Sequence, residues 1–464
     1  MSLDTAMSGA TSALRTVQQQ ISLVSNNINN ATTPGYTRKG VNLSPMGDGV
    51  ELVGVKISDY TRATDSNVLK QLAAALATDG MKSAQQEYLS QVQDILGSSS
   101  DNVRLTAAVQ AFGDSWTQLQ AEPESVALQN EVIRNGTSLA AEIRRISSQV
   151  EQLDRSIQSD ISSSVTELNQ ALRDVESANS QIATAHAAAQ PTGNYEDQRD
   201  VALQKIAQFV DIRVMDRSNG QIAVYTPKGY ALLDGQPQQF AFDGTNVTVA
   251  GSATVVNANL AGGKFEGLLG LRANSSPAAA DPSPTQEVIR KLRAQLDQIA
   301  NGFLADTTGP DSFAHVYNGA TAATGELATG FFTGTNRTDF NVNVSLLNGS
   351  ATVKRLAATP VATAMADATR SFAAAGQTTA NVTYGGYAQD MISTWQTGAK
   401  RAKDEAATAA SQKDYFTKLN TDQTAVSVDS EMVKLQQLQI SYQAAARLIG
   451  VIQQMNQVII NMVS

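Results

Sequence analysis

Residues 3–36 read LDTAMSGATSALRTVQQQISLVSNNINNATTPGY, and the architecture follows from this stretch. Its apolar positions Leu3, Met7, Ala10, Leu14, Val17, Ile21, Val24 and Ile28 alternate steps of four and three, which is the a/d seam of a coiled coil. The spacing predicts a helix built to pair. Helix should end near Thr32: Pro34 lacks an amide hydrogen and pushes Thr33 out of the α region, and Gly35 tolerates a sharp exit.

The matching helix is written at the far end. Leu435, Leu438, Tyr442, Ala445, Ile449, Ile452, Asn456, Ile459 and Val463 keep the same spacing, behind an opening acid at Asp429 read as the N-cap and a second acid at Glu431. Two seamed helices at opposite termini imply that the termini meet, with everything between them carried as an insertion. Ile440, Leu448, Val451, Met455, Ile460 and Met462 fall outside the seam, so a single partner helix leaves apolar surface over for neighbouring subunits.

Between the terminal helices, residues 37–64 read as an extended linker with two strand-like runs around a turn at Met46-Gly47-Asp48-Gly49. Helical period fills 65–210, with a weak point at Gly80, a break at Gly97-Ser98-Ser99-Ser100-Asp101 and a stop at Glu122-Pro123-Glu124. From Val132 to Ile182 the apolar spacing runs on for some fifty residues, predicting one long helix or two abutting ones, on the order of 75 Å. Alternating residues and an Asn219-Gly220 turn make 211–285 a small β-rich outer unit. A Pro-rich turn spans Pro277 to Pro284, helical period returns over 286–428, and a Gly-, Thr- and Asn-rich insert interrupts it at 307–360. The expected fold is mainly α with a small β unit: paired terminal coiled-coil helices (1–36 and 429–464), a long-helix bundle and an inserted outer domain.

Composition narrows the function. Acids exceed bases by 43 to 34, and the densest basic cluster, Lys400-Arg401-Lys403, runs straight into Asp404-Glu405, which argues against nucleic acid. No cysteine and only two histidines, His186 and His315, argue against a metal site or a thiol nucleophile. No apolar run approaches a membrane span, and the N-terminus lacks the basic and apolar regions of a secretory signal. Glu122/Glu124 and Glu196/Asp197 come nearest to paired carboxylates, but their positions at helix ends read as solvated caps. No catalytic residue and no cofactor is expected.

The run Asn26-Asn27-Ile28-Asn29-Asn30-Ala31-Thr32-Thr33-Pro34-Gly35-Tyr36 resembles the N-terminal signature of bacterial flagellar axial proteins, the rod, hook and hook-associated families. The family motif falls here on Asn26, Asn27, Asn30, Thr33, Pro34, Gly35 and Tyr36. Thr37-Arg38, the stretch Asp197-Gln198-Arg199-Asp200 and the run from Gly262 to Arg272 resemble the first hook-associated family, and Gln443 to Arg447 match the C-terminal signature, with Gln443 and Arg447 as its marked positions. The resemblance implies a structural subunit at the hook–filament junction, outside the cell, exported through the flagellar type III system. Implied partners are copies of itself in a ring or tube, the hook protein, a second junction protein and an export chaperone. It further implies that the terminal helices are disordered in the free subunit. Two other readings are a hook or distal-rod subunit and, more remotely, an enzyme carried on an axial scaffold.

Overall fold

The computed structural model describes residues 3–47, 52–97, 104–272, 285–304, 312–375 and 377–463. The N-terminal seam forms helix α1 (Leu3–Asn29). Next come strands β1 (Lys39–Gly47) and β2 (Leu52–Arg62), then α2 (Ser66–Leu96), α3 (Arg104–Ala121), α4 (Val126–Ala187) and α5 (Gly193–Phe209). Six short strands follow: β3 (Arg213–Asp216), β4 (Ile222–Tyr225), β5 (Ala231–Asp234), β6 (Gln236–Pro237), β7 (Phe240–Phe242) and β8 (Val247–Val249). Helices α6 (Lys264–Arg272), α7 (Val288–Leu304) and α8 (Phe313–Gly319) lead to β9 (Phe332–Thr333), β10 (Asn341–Val342), α9 (Val344–Leu347) and α10 (Ala358–Ala366). The chain closes with a hairpin, β11 (Arg370–Ala374) and β12 (Gln377–Val382), and two long helices, α11 (Tyr384–Thr424) and α12 (Val428–Val463).

Helix α4 is the beam of the molecule. Its apolar repeat forms one continuous helix of 62 residues, about 93 Å at 1.5 Å per residue, longer than the spacing alone suggested. Val132, Leu139, Ile143, Ile146, Val150, Leu153, Ile157 and Ile161 are all buried along one side. Gly136 sits within that stripe because the Phe331 and Phe112 rings occupy the place a Cβ would take. Gly80 likewise does not interrupt α2: the backbones of Gln208 and Lys264 pass where its side chain would stand, so the glycine serves packing and not a break.

The β unit is a four-stranded antiparallel sheet in the order β3-β4-β5-β6 beside the hairpin β7-β8. Two asparagines of α4 hold it by pairing with strand backbone. Asn179 donates to the Ile222 carbonyl (2.8 Å) and accepts from its amide (3.2 Å), and Asn169 does the same with Phe240 at 2.8 and 2.9 Å. Residues 211–285 do not stay strand-rich throughout, since α6 turns back to the bundle, where Gly267 packs against the Met81 backbone and Ala84 of α2.

One further expectation is extended and two are revised. Residues 37–64, expected as an extended linker with two strand-like runs, pair those runs and pack them. They form one long hairpin whose outer edge lies on α1, with Thr16 Oγ1 donating to the Val55 carbonyl (3.0 Å) and Ser12 Oγ accepting the Val55 amide (3.2 Å). Helix α12 starts two residues before the position an Asp429 cap implies, capped by Ser427, whose Oγ accepts from the Ser430 amide at 3.4 Å; Asp429 is therefore inside the first turn and not the cap. Strands β11 and β12 interrupt the stretch after Val361 that reads as helix. The breaks expected at 98–101 and from Pro277 to Pro284, and half of the turn at 46–49, lie outside the described residues.

The insert is no periphery. Phe313, Tyr317, Phe331, Phe332 and Phe340 join Phe112 and Trp116 of α3 and Phe303 of α7 in one aromatic cluster, fully buried at most positions, with ring centroids 4.6–6.2 Å apart. Phe112 touches five of these rings. Phe112→Ala should lower stability by about 3–5 kcal/mol through the lost transfer energy and the cavity left behind, read as a lower urea midpoint at unchanged slope.

Candidate functional site

The two terminal helices pair antiparallel, the end of α1 lying beside the start of α12. Val24, Leu438, Ala445 and Ile452 are buried; Leu3, Met7, Leu14, Val17, Ile21, Ile28, Leu435, Tyr442 and Ile449 are half-buried. Ile459 departs from the pattern at 50% exposure. The reason is length: Asn27 lies beside Glu431, so the 24 residues back to Leu3, about 36 Å, bring α1 to its end level with Met455, and α12 overhangs beyond it. Val463 ends α12 past that point, its side chain outside the description. The overhang and the outer face expose Ile440, Leu448, Val451, Met455, Val458, Ile460 and Met462. Most of these form a second 3–4 repeat, offset by one residue from the first.

At the other end of the pair a buried polar joint ties five segments together. Asn27, the last buried residue of α1, is fully enclosed and uses its whole amide. Its Nδ2 donates to the Lys39 carbonyl (2.9 Å) and to Glu431 Oε2 (3.1 Å), while Oδ1 accepts from the Lys39 amide (3.0 Å) and the Tyr36 hydroxyl (2.9 Å). The intervening loop is fixed by its own bonds. Asn30 donates to the Asn26 carbonyl, Thr33 Oγ1 donates to Asn30 Oδ1, and Gly35 adopts φ 78° where any side chain would strike Val201. Thr33, Pro34 and Gly35 themselves are exposed, beside an open cleft of about 580 Å³ whose far wall is α4 and α5.

Asp197 of α5 is the anion at the centre. It is buried, accepts from the Thr37 amide (3.2 Å) and hydroxyl (2.7 Å), pairs with the Lys39 ammonium, and receives Arg62 at 2.7 Å. Arg62 also reaches Glu196 and Asp200, each at 2.7 Å, and the Lys39 ammonium rests 3.7 Å from the centre of the Tyr36 ring. The solvated-cap reading of Glu196/Asp197 therefore fails for Asp197, because α5 begins against the hairpin and not in water. Glu124 does stay at the surface, paired with Arg355.

Burial drives the electrostatics here. It pushes the Tyr36 hydroxyl up to about 12, with help from the Asp197 and Glu431 charges. It lowers Lys39 despite the hydrogen bond and charge of Asp197, and raises Asp200 against the pull of Arg62. For Arg62 burial likewise disfavours the charged form, yet the Asp200, Glu196 and Asp197 carboxylates outweigh it and hold the guanidinium charge more firmly.

Among the predicted motif residues, the structure brings Asn27, Tyr36, Asn30 and Gly35 into the joint or its loop. Gln443 and Arg447 stay exposed on α12, twelve and more residues beyond Glu431, and do not meet the N-terminal motif. Lys39, Arg62 and Glu431 are the members that sequence reading did not single out as a site. Their signal was faint: single charges in strand-like or helix-opening runs. The described residues hold no cluster of His, Asp and Glu suited to a metal ion and no helix long and apolar enough to cross a membrane; both histidines are exposed.

Known proteins resemble the chain over most of its length. Residues 89–308 match the family model described as flagellar hook-associated protein FlgK helical domain, and residues 3–37 match that of the flagella basal body rod protein. Flagellar hook-associated protein 1 of Bacillus subtilis is 25% identical, with 94% of each chain covered. The proteins of the same description in Escherichia coli and Salmonella typhimurium are 26% and 27% identical over 50% and 49% of this chain, covering 44% and 42% of their own lengths. A solved flagellar hook junction protein FlgK from Burkholderia pseudomallei is 23% identical with a TM-score of 0.47, over 57% of this chain and 46% of its own.

Two outcomes test the joint. Asp197→Ala leaves the Lys39 and Arg62 charges buried without their central partner and should cost about 3–5 kcal/mol in urea unfolding. Tyr36 keeps its proton to about 12 in the folded chain but loses it near 10 when unfolded, so between those values the unfolded state binds fewer protons. Its contribution is whole below pH 10 and lost between 10 and 12. Tyr36→Phe should accordingly show a shallower fall of melting temperature over that range than the parent protein.

Proposed function

Because the chain belongs to the flagellar hook-associated protein family, whose members are structural parts of the flagellum at the hook–filament junction and not enzymes, we propose that it builds that junction by stacking its terminal helices into an inner tube. One observation carries the reading: the second, exposed seam of α12, from Leu448 to Met462, which α1 leaves uncovered. Apolar side chains at coiled-coil spacing on an open helix face suit burial against helices of further copies. Residues 1–36 and 429–464 then form the inner layer, the long helices of 65–210 and 286–428 the next, and the β unit of 211–285 the outer surface. The hairpin of 37–64 braces the first layer against the second.

On this reading the hook protein lies below the ring and a second junction protein above it. The subunit travels through the type III export channel with a chaperone on its C-terminal helix. The distal turns of α1 and α12 are disordered until assembly orders them. The rod-type match at residues 3–37 fits a terminal motif shared among axial proteins, and the helical-domain match over 89–308 favours the junction over hook or rod.

Deleting the gene and imaging the flagella tests the role directly. Hooks without filaments, with flagellin lost to the medium, are expected; absent hooks would move the protein to the rod or hook, and intact filaments would remove the assembly reading. Leu448→Glu combined with Met455→Glu should leave stability within about 0.5 kcal/mol, since both sites are exposed, yet fail to restore filaments to the deletion strain.

A further inference from the structure

We infer that the joint is a latch: docking of the first turn of α12 fixes the position of α5, two elements with no contact between the side chains that start and end the chain of bonds. Glu431 is only 4% exposed and its carboxylate accepts one of the two Nδ2 protons of Asn27. That bond orients the Asn27 amide, whose other proton and carbonyl oxygen hold the Lys39 backbone and the Tyr36 hydroxyl. Tyr36 and the Lys39 backbone in turn place the Lys39 ammonium, which pairs with Asp197 on α5, and Asp197 shares Arg62 with Asp200. The sequence of contacts is continuous from α12 to α5 through buried groups.

A buried polar network is close to all-or-none, because a half-satisfied member leaves an unpaired donor or charge in a low-dielectric site. Without Glu431, one Asn27 proton has no partner, and the amide is free to turn away from Lys39. The Lys39 ammonium then loses its fixed approach to Asp197, and the N-terminus of α5 is held by fewer bonds. The backbone reinforces the coupling, since Arg38 donates to the Thr424 carbonyl at the end of α11 and accepts from the Ala63 amide behind Arg62. The state of the C-terminal helix is thereby transmitted into the helical body.

All these bonds lie within one chain, so the latch stands or falls apart from any role in the flagellum. Hydrogen exchange by mass spectrometry on the full-length protein reads it. In Glu431→Ala, peptides covering 193–203 should exchange about tenfold faster while α3 peptides keep their rate. Glu431→Gln, which retains an oxygen acceptor for Asn27, should recover most of the protection, and Asp429→Asn in the same turn should change nothing. Coupling is reciprocal, so Asp197→Asn should speed exchange at 428–434 by a similar factor. Unchanged exchange at 193–203 in Glu431→Ala, or equal acceleration by Asp429→Asn, overturns the inference. Should Glu431→Ala loosen α3 as well, the reciprocal variant decides, and an unaffected 428–434 then overturns it.

Discussion

The arrangement of the base of the molecule depends on one buried carboxylate. Lys39 and Arg62 stand directly opposite each other in the register of the β1–β2 hairpin, at its open end. Two cations facing across a strand pair repel, and both side chains are largely shielded from water that would screen them. Asp197 lies between them and converts the repulsion into a bridge. The hairpin can therefore close only where α5 supplies that anion, so the strand pair, the exit from α1 and the start of α5 are fixed together.

The rest of the body is fixed by α4. A helix of this length is stable because packing covers one stripe nearly end to end: aromatic rings on its N-terminal part, the long helices and α6 and α7 at its middle, the β unit beyond. Charges finish what the apolar stripe begins. Asp154 and Glu151 on α4 bind Arg272 of α6, Arg293 of α7 and Arg337 of the insert, so three segments distant in sequence are registered against one helical turn. Small strands and short helices then need little core of their own, which explains how a chain with few aromatics supports so many minor elements.

What periodicity encodes was legible: a helix with a coiled-coil repeat at each terminus, a helical run of some fifty residues, which α4 makes in one piece and not two, and the Asn219-Gly220 turn, with Asn219 at φ 60° between β3 and β4. These features are local, and spacing in the chain reports them directly. The joint was legible only in part. Asn27 and Tyr36 stand out as motif residues, but Glu431 lies 404 positions from its partner Asn27, and Asp197 at the head of a helix looks like any acid favoured by the dipole. The strands of the linker were legible, but not its packing on α1, because that seat is made by Ser12 and Thr16, small polar residues without pattern. Strands β11 and β12 hid for a different reason: Ala-rich sequence around Phe372 favours helix locally, and stacking of Phe372 on Tyr387 at 4.6 Å decides otherwise.

The terminal pair has one held end and one open end, and this asymmetry bears on how a junction subunit could serve two lattices. Near Glu431 the pair is locked to the body through buried hydrogen bonds and charges, which are directional and tolerate little sliding. Toward the far end of the pair, up to about 36 Å along α12, the contacts are apolar, non-directional and only partly filled. In the proposed assembly, neighbours packing on the distal seam would meet a surface that accepts small shifts of register, while the proximal joint keeps the orientation of each subunit. Specificity of angle and adaptability of contact thus reside at opposite ends of the same helix.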